Sequence, residues 1–496
     1  MEATAHPVVI SDHNMVAFAL TTRTPVLTPH TLSVRTKLRF EKSPELVDNF
    51  KLKLDTLITT APGDDADLLQ WYPSFKRRLT ILCNQINREA QNTPERASRA
   101  VQSAALRALY DRSEAGEDPA VVLPLLVQAR QMLSETDRQT ADQATAAEQR
   151  EWLHEGEKPG PLLTAQLRRP RGCMGIAAVK TPTGSLISNP ENIANVMVKF
   201  FAGVSLEPAC SVQSQQAVLE PLLTAPHLSI SQANLLDSPL VSEAEVLKAL
   251  ASAKPGTSPG PDSLPMDLFR KYRIHLAPLL SRLFTAMSRS GELPCAFNNG
   301  TIIVLYKAGD RTDPANYRPI TLLNADYRAY ARVLATRLSA VLPSIIDPQQ
   351  TAFLGQRSMG ETILLLQLLP RALVLHTSGA AAVSCDIRKA YDTVSRDFLQ
   401  QSMAALGVGP QFRQTVGMIL CNTRSRASVN GSLSDPATFY AGVRQGCPLA
   451  PLLYLFIGQA LSCFLRAQGI GITIEGKNIS AAQFADDMTA FLYSLD

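Results

Sequence analysis

The stretch AAQFADDMTAFLY, Ala481 to Tyr493, sets two adjacent carboxylates, Asp486 and Asp487, between two short apolar arms. Arms of that length predict a β-hairpin with the carboxylates at its tip. An Asp-Asp pair alone is as readily a solvated turn or a helix N-cap, so its meaning depends on the residues around it. One hundred residues earlier, AAAVSCDIRKAYDTV (380–394) ends a small apolar run, Ala380 to Cys385, on Asp386. That run suits a buried strand with Asp386 at its carboxyl end. Between the two lies GVRQGCPLAPLLYLF (442–456), a Gly/Pro-marked loop entering an apolar segment of buried-helix character. The order strand, loop and helix, hairpin predicts three carboxylates on one sheet with a helix behind it.

Phosphoryl transfer onto a nucleic-acid 3′ end can be run by two divalent ions roughly 3.5–4 Å apart. Magnesium takes oxygen ligands and usually binds through one or two protein carboxylates, with water and substrate phosphates completing its shell. Carboxylates at strand ends, drawn from distant parts of a chain, supply such a site.

Three further stretches precede them, KPGTSPGPDSLPMDLFRKY (254–272), LPCAFNNGTIIVLYKAGDRTDPANYRPITLLN (293–324) and QQTAFLGQRS (349–358), and the carboxylate stretches themselves contain CDIRKAYDTV (385–394) and FADD (484–487). Together with the RQGCPLAP segment, they make the carboxy-terminal half resemble the reverse transcriptase domain of LINE-type (non-LTR) retrotransposons. The resemblance implies an α/β (α+β) right-hand polymerase, with fingers and an antiparallel palm sheet backed by helices, preceded by a helical connector. It also implies RNA-directed DNA synthesis, in which a primer 3′-OH attacks a dNTP on an RNA template, priming at a nicked DNA target.

By that resemblance, Asp386, Asp486 and Asp487 are the catalytic carboxylates. They hold two Mg²⁺ ions (Mn²⁺ a substitute), with the main-chain carbonyl of Ile387 in the metal shell. Tyr391 stands where the family places an aromatic residue against the sugar 2′ position; core packing is its plain alternative. Gln445 and Gly446 match the pair that meets nucleotide and template, and Gly permits close backbone approach to a ligand. Arg318 and Lys307, on a hairpin formed by TIIVLYKAGD and NYRPITLLN, match residues that hold the triphosphate, a task suited to guanidinium groups. Arg444 and Arg357 are weaker candidates for template contact, Asp392 for helix capping, and Cys447 for packing.

Net charge is +4, unevenly spread: residues 251–496 carry 23 Lys/Arg against 16 Asp/Glu, and the remainder is net negative. A moderately basic polymerase half fits a template groove there. Eight scattered cysteines show no C-x-x-C or Cys/His zinc spacing, which argues for a reduced chain over a disulfide scaffold. No window approaches about twenty uninterrupted apolar residues, and no signal-peptide pattern opens the chain. The expected location is intracellular without a membrane partner, and the resemblance implies the nucleus and a cytoplasmic ribonucleoprotein.

Residues 65–158 carry apolar positions at helical spacing in WYPSFKRRLTILCNQI (71–86) and VVLPLLVQARQML (121–133), predicting two or three connector helices. TILLLQLLP (362–370) reads as a buried helix, and residues 205–240 as loop. VVISDHNMVAFAL (8–20) resembles the last core strand of the apurinic-type endonuclease that precedes reverse transcriptase in these elements. Asp12 and His13 would then be remnants of its nicking site, inactive without their partners. The expected domains are 1–22 (endonuclease remnant), 23–160 (helical connector), 161–250 (extension before the fingers) and 251–496 (fingers and palm, thumb absent). The chain reads as a fragment or a copy damaged at both ends. The alternatives are a non-catalytic remnant that binds RNA or nothing, and an intron-encoded maturase, which SDHN and NYRPI disfavour.

Overall fold

The computed structural model describes residues 2–6, 15–19, 36, 38–90, 94–115, 117–118, 120–135, 175–207, 210–376, 381–474 and 476–492. Asp12 and His13 lie outside them. The chain forms two compact units.

The smaller comprises Met1–Leu27, Leu38–Val47 and Asn84–Gly175. The strands Glu2–His6 and Met15–Ala19 pair antiparallel within it. Its helices Pro94–Glu114 and 120–135 close over Leu106, Val122, Leu126 and Leu133; the second covers the periodic stretch 121–133, and the first stands where no periodic stretch was singled out.

The larger unit comprises Thr28–Lys37, Asp48–Cys83 and Ile176–Asp496. Most of the helix Asp65–Glu89 belongs to it. Leu68, Tyr72, Phe75, Leu79 and Cys83, spaced by three and four, are buried along one stripe, as an amphipathic helix requires. Lys76 interrupts that stripe. Its ammonium sits 2.5 Å from Asp262 and 2.8 Å from Asp326, and the Tyr72 hydroxyl donates to Asp326 at 3.0 Å. The expected connector therefore contributes a helix to the polymerase-like unit rather than lying wholly ahead of it.

Two sheets matter for the site. In one, Gly300–Tyr306 pairs antiparallel with Tyr317–Leu323 and parallel with Thr423–Val429, which carries Ser432–Leu433 and Ala437–Phe439 at its other side. The hairpin of TIIVLYKAGD and NYRPITLLN is thus present, inside a mixed sheet. The other sheet is antiparallel and three-stranded, in the order Ala481–Phe484, Asp487–Leu492, Ala381–Asp386. The helix Ala450–Ala467 is buried, as its apolar composition predicts. Among the described residues it is the one helix long and apolar enough to cross a membrane, and 61% of it is buried in the fold.

Three expectations are corrected. The strand Ala381–Asp386 is exposed over most of its length, because it pairs at the outer side of its sheet and its small residues meet no covering element among the described residues. The helix Met359–His376 buries Leu369, with Leu365 beside it, against Ile472, Ala482 and Phe491, and leaves Ile363, Leu364, Leu366 and Leu368 exposed. Apolar residues on all sides cannot all face one sheet. Residues 205–240 contain the helices Val212–Leu219 and Ile230–Asp237, started by Ser211 and by a Ser229–Gln232 capping box. The Ser and Gln content that suggested a loop supplies these caps.

Candidate active site

Asp487 opens the strand Asp487–Leu492 and lies directly opposite Asp386 in the sheet register, while Asp486 sits in the turn before it. The Phe484–Asp487 pair closes a two-residue turn, and Ala485 there takes φ +59°. Positive φ at the first turn residue suits the right-handed twist of a tight hairpin, though Gly is the residue that adopts it without strain. The hairpin tip and the end of the Asp386 strand thus meet, as the sequence reading expected.

The three carboxylates border one open cavity of about 690 Å³, whose lining also includes Ile387, Tyr391, Lys307, Arg318, Gln445 and Gly446. Lys307 and Arg318 are exposed residues of the Gly300–Leu323 hairpin. The Tyr391 ring stacks on Tyr454 at 4.8 Å and 21°. Burial, and then the negative charge of Asp486, push the Tyr391 hydroxyl pKa well up, so it stays neutral. Among the described residues, no three His, Cys, Asp or Glu side chains converge closely enough to hold a metal ion by themselves. The donors are nonetheless all hard oxygens around one cavity. Such a set fits Mg²⁺, which completes its shell with water and substrate phosphates rather than an all-protein cage.

The RQG loop is fastened to the hairpin: Thr321 N–H donates to the Gln445 carbonyl at 2.9 Å. At Gly446, with φ +112°, a Cβ would come within 2.5 Å of the Thr321 carbonyl oxygen, so only glycine fits. Lys389 ties the segment after Asp386 to the same hairpin, donating to the carbonyls of Ala315 (3.1 Å) and Tyr317 (3.3 Å).

Asp392 is not a helix cap; Ser395 caps the following helix. Its carboxylate accepts both contacts from Gln445 Nε2, at 3.1 and 3.2 Å, and so orients that side chain. Burial raises its pKa to about 6, against the attraction of Lys389, the Gln445 hydrogen bond, Lys307 and Arg318. A carboxyl with a raised folded-state pKa contributes stability below its unfolded value near 4 and loses it as pH rises through about 6. Asp392→Asn is therefore expected to gain stability relative to the parent between pH 4 and 7, by at most about 3 kcal/mol. Urea melts of both proteins across that range check this; parallel curves would contradict it.

Two arginines expected at the template hold main-chain carbonyls. Arg444 is 8% exposed, and its guanidinium donates to the carbonyls of Asn298 and Arg424. Arg357 donates to the carbonyls of Asp347 (2.5 Å), Gln350 (2.8 Å) and Ile346 (2.9 Å), binding up its own loop. Arg444 nonetheless lines the cavity that the carboxylates border.

Two residues escaped the sequence reading. Arg396 uses all five N–H groups, on the carbonyls of Leu420, Phe439, Ala441 and Gly442 and on Thr423 Oγ1, and so fixes the chain entering the RQG loop. Burial lowers its pKa to about 10. Gln350, 1% exposed, reaches the carboxylate hairpin. Their local sequence marks neither: Arg396 follows a capping serine, and Gln350 follows Pro348 and Gln349.

Residues 306–496 match the family described as "Reverse transcriptase (RNA-dependent DNA polymerase)". The chain is 25% identical over 85% of its length to a transposon TX1 uncharacterized 149 kDa protein of Xenopus laevis, covering 32% of that protein. It is 29% identical over half its length to a Pol polyprotein of the type-1 retrotransposable element R2 of Popillia japonica, covering 34% of it. It is 24% identical over 63% of its length to the RNA-directed DNA polymerase of the mobile element jockey of Drosophila melanogaster, covering 33%. The chain spans about a third of the length of these relatives.

Proposed function

Because residues 306–496 form a reverse transcriptase domain of the kind carried by non-LTR retrotransposons, we propose that this chain binds a primer on an RNA template and extends it with dNTPs. The observation that carries this reading is the register pairing of Asp386 with Asp487, with Asp486 in the adjoining turn, on a cavity whose lining also carries Lys307 and Arg318.

In this reading the three-stranded sheet is the palm and the Gly300–Leu323 hairpin belongs to the fingers. Reverse transcriptases use divalent metal ions, and here Asp386, Asp486, Asp487 and the Ile387 carbonyl would hold two Mg²⁺. Those ions supply activation of the attacking hydroxyl and neutralisation of the leaving oxygen. Arg318 and Lys307 bind the triphosphate. Tyr391, backed by Tyr454, closes the space beside the sugar and disfavours ribonucleotides. Gln445, held by Asp392, and Gly446 orient the nucleotide against the template. The 3′-oxygen bonds to the α-phosphorus, the bond to the bridging oxygen of the β-phosphate breaks, and pyrophosphate leaves. Priming at a nicked DNA target, and residence in the nucleus and a cytoplasmic ribonucleoprotein, belong to the same proposal.

Arg318→Ala is expected to raise the dNTP KM about tenfold or more, the value of one charge-assisted contact, with a smaller change in kcat. Steady-state incorporation on an RNA template measures it. An unchanged KM would remove Arg318 from the nucleotide site, and absence of any templated incorporation would remove the function.

A further inference from the structure

The QQTAFLGQRS segment supplies none of the groups assigned above, yet it holds the carboxylate turn. Gln350 is buried, and its carboxamide uses its full hydrogen-bonding capacity. Oε1 accepts from the N–H of Ala485 at 3.0 Å and of Ala352 at 3.2 Å. Nε2 donates to the Ala485 carbonyl at 3.3 Å and to Gln483 Oε1 at 3.2 Å. One side chain thus grips both polar groups of Ala485, the positive-φ residue of the turn, and so fixes the peptide that leads into Asp486.

The clamp is itself anchored. Gln350 bridges Gln483 in parallel register, with Thr351 N–H donating to the Gln483 carbonyl and Gln483 N–H to the Gln349 carbonyl, both at 3.0 Å. Arg357 binds the Gln350 carbonyl from the other side, and Gln459 of the buried helix accepts from Asp347 N–H at 2.7 Å.

We propose that Gln350 is a positioning residue for Asp486. It holds Ala485 in a conformation the residue would not keep alone, and so keeps the Asp486 carboxylate placed for a divalent ion. The inference rests on the polymerase reading for its consequence but not for its geometry. A left-handed backbone at a non-glycine residue is unfavourable and persists where its surroundings over-determine it. Removing the clamp should therefore loosen the turn while leaving the triphosphate residues untouched.

The test uses the full chain carrying Gln350→Met, which keeps length and loses both hydrogen-bonding ends. The half-saturating Mg²⁺ concentration in primer extension should rise about tenfold, or kcat fall by about 10- to 100-fold, the usual range for a supporting partner of a metal ligand. The dNTP KM should stay within about twofold. Independently of activity, the Ala485 amide should lose hydrogen-exchange protection, and Mn²⁺ binding followed by electron paramagnetic resonance should weaken. Adding Ala485→Gly, which accepts positive φ freely, should recover part of the lost Mn²⁺ affinity. If Gln350→Met does not fold, Gln350→Asn, too short to reach Ala485, should show the same shifts. Parent-like exchange at Ala485 and parent-like Mn²⁺ binding would overturn the proposal. A parent chain that extends no primer would instead defeat the polymerase reading, while amide exchange would still decide the clamp.

Discussion

Asp386→Asn should reduce RNA-templated dNTP incorporation by about three orders of magnitude, roughly 4 kcal/mol of transition-state stabilisation. The carboxylate stands opposite Asp487 in the register of a three-stranded sheet, at the edge of the cavity shared with Asp486, Lys307 and Arg318. Asn keeps the size and one oxygen but removes the negative charge that a divalent ion needs. The strand Ala381–Asp386 is exposed over most of its length, so the substitution buries no new polar group and should leave the melting temperature within about 2 °C of the parent. Loss of kcat with stability intact would be the signature of a metal ligand. Loss of both together would mean that Asp386 serves the fold, and retained activity would exclude it from the metal site.

Lys76→Met should destabilise the larger unit by about 3–5 kcal/mol. Lys76 lies between Asp262 and Asp326, with Tyr72 also donating to Asp326, which is 0% exposed. Burial alone would lower the Lys76 pKa, but attraction to Asp326 and Asp262 raises it, so the ammonium stays charged. Burial also raises the Asp262 pKa even with Lys76 beside it. Without the lysine, the two buried carboxylates lose their ion pairs and keep the attraction of Arg328, and protonating one relieves the repulsion between them. The defect should therefore be larger at pH 8 than at pH 5, because acids with raised folded-state pKa values destabilise most when they must be ionised. Thermal melts at the two pH values check it; a loss of stability under about 1 kcal/mol at both would show the network to be weak. This helix lies in the segment the sequence marked only as a connector, so a large effect would tie that segment to the folding of the polymerase part.

What could be read from the chain alone follows distance along it. The Ala481–Leu492 hairpin was legible because its arms, its two-residue turn and its carboxylates are contiguous. So was the Gly300–Leu323 hairpin, and so was the buried helix Ala450–Ala467. Element order placed Asp386 and the hairpin carboxylates on one sheet, but the register that sets Asp386 opposite Asp487, about a hundred residues away, left no mark in the sequence. The parallel pairing of Gly300–Tyr306 with Thr423–Val429 left no local mark at all. Composition misjudged burial where no covering element could be foreseen, at Ala381–Asp386 and on the outer faces of Met359–His376. Polar supports were the hardest to see. Lys76 breaks an apolar stripe, Gln350 precedes an apolar TAFL, and Arg396 follows a Ser cap, yet each acts through partners far away in sequence. The carbonyl contacts of Arg357 and Arg444 were hidden for the same reason: a basic residue in a motif can serve a carbonyl as well as a phosphate.

The most direct measurement is extension of a labelled DNA primer annealed to an RNA template, with Mg²⁺ and the four dNTPs, by the parent chain and by Asp486→Ala plus Asp487→Ala. The account predicts a ladder in which each step requires the complementary dNTP, abolished by chelation and absent from the double variant. Extension that survives in the double variant, or a parent chain that adds no nucleotide under these conditions, would contradict it.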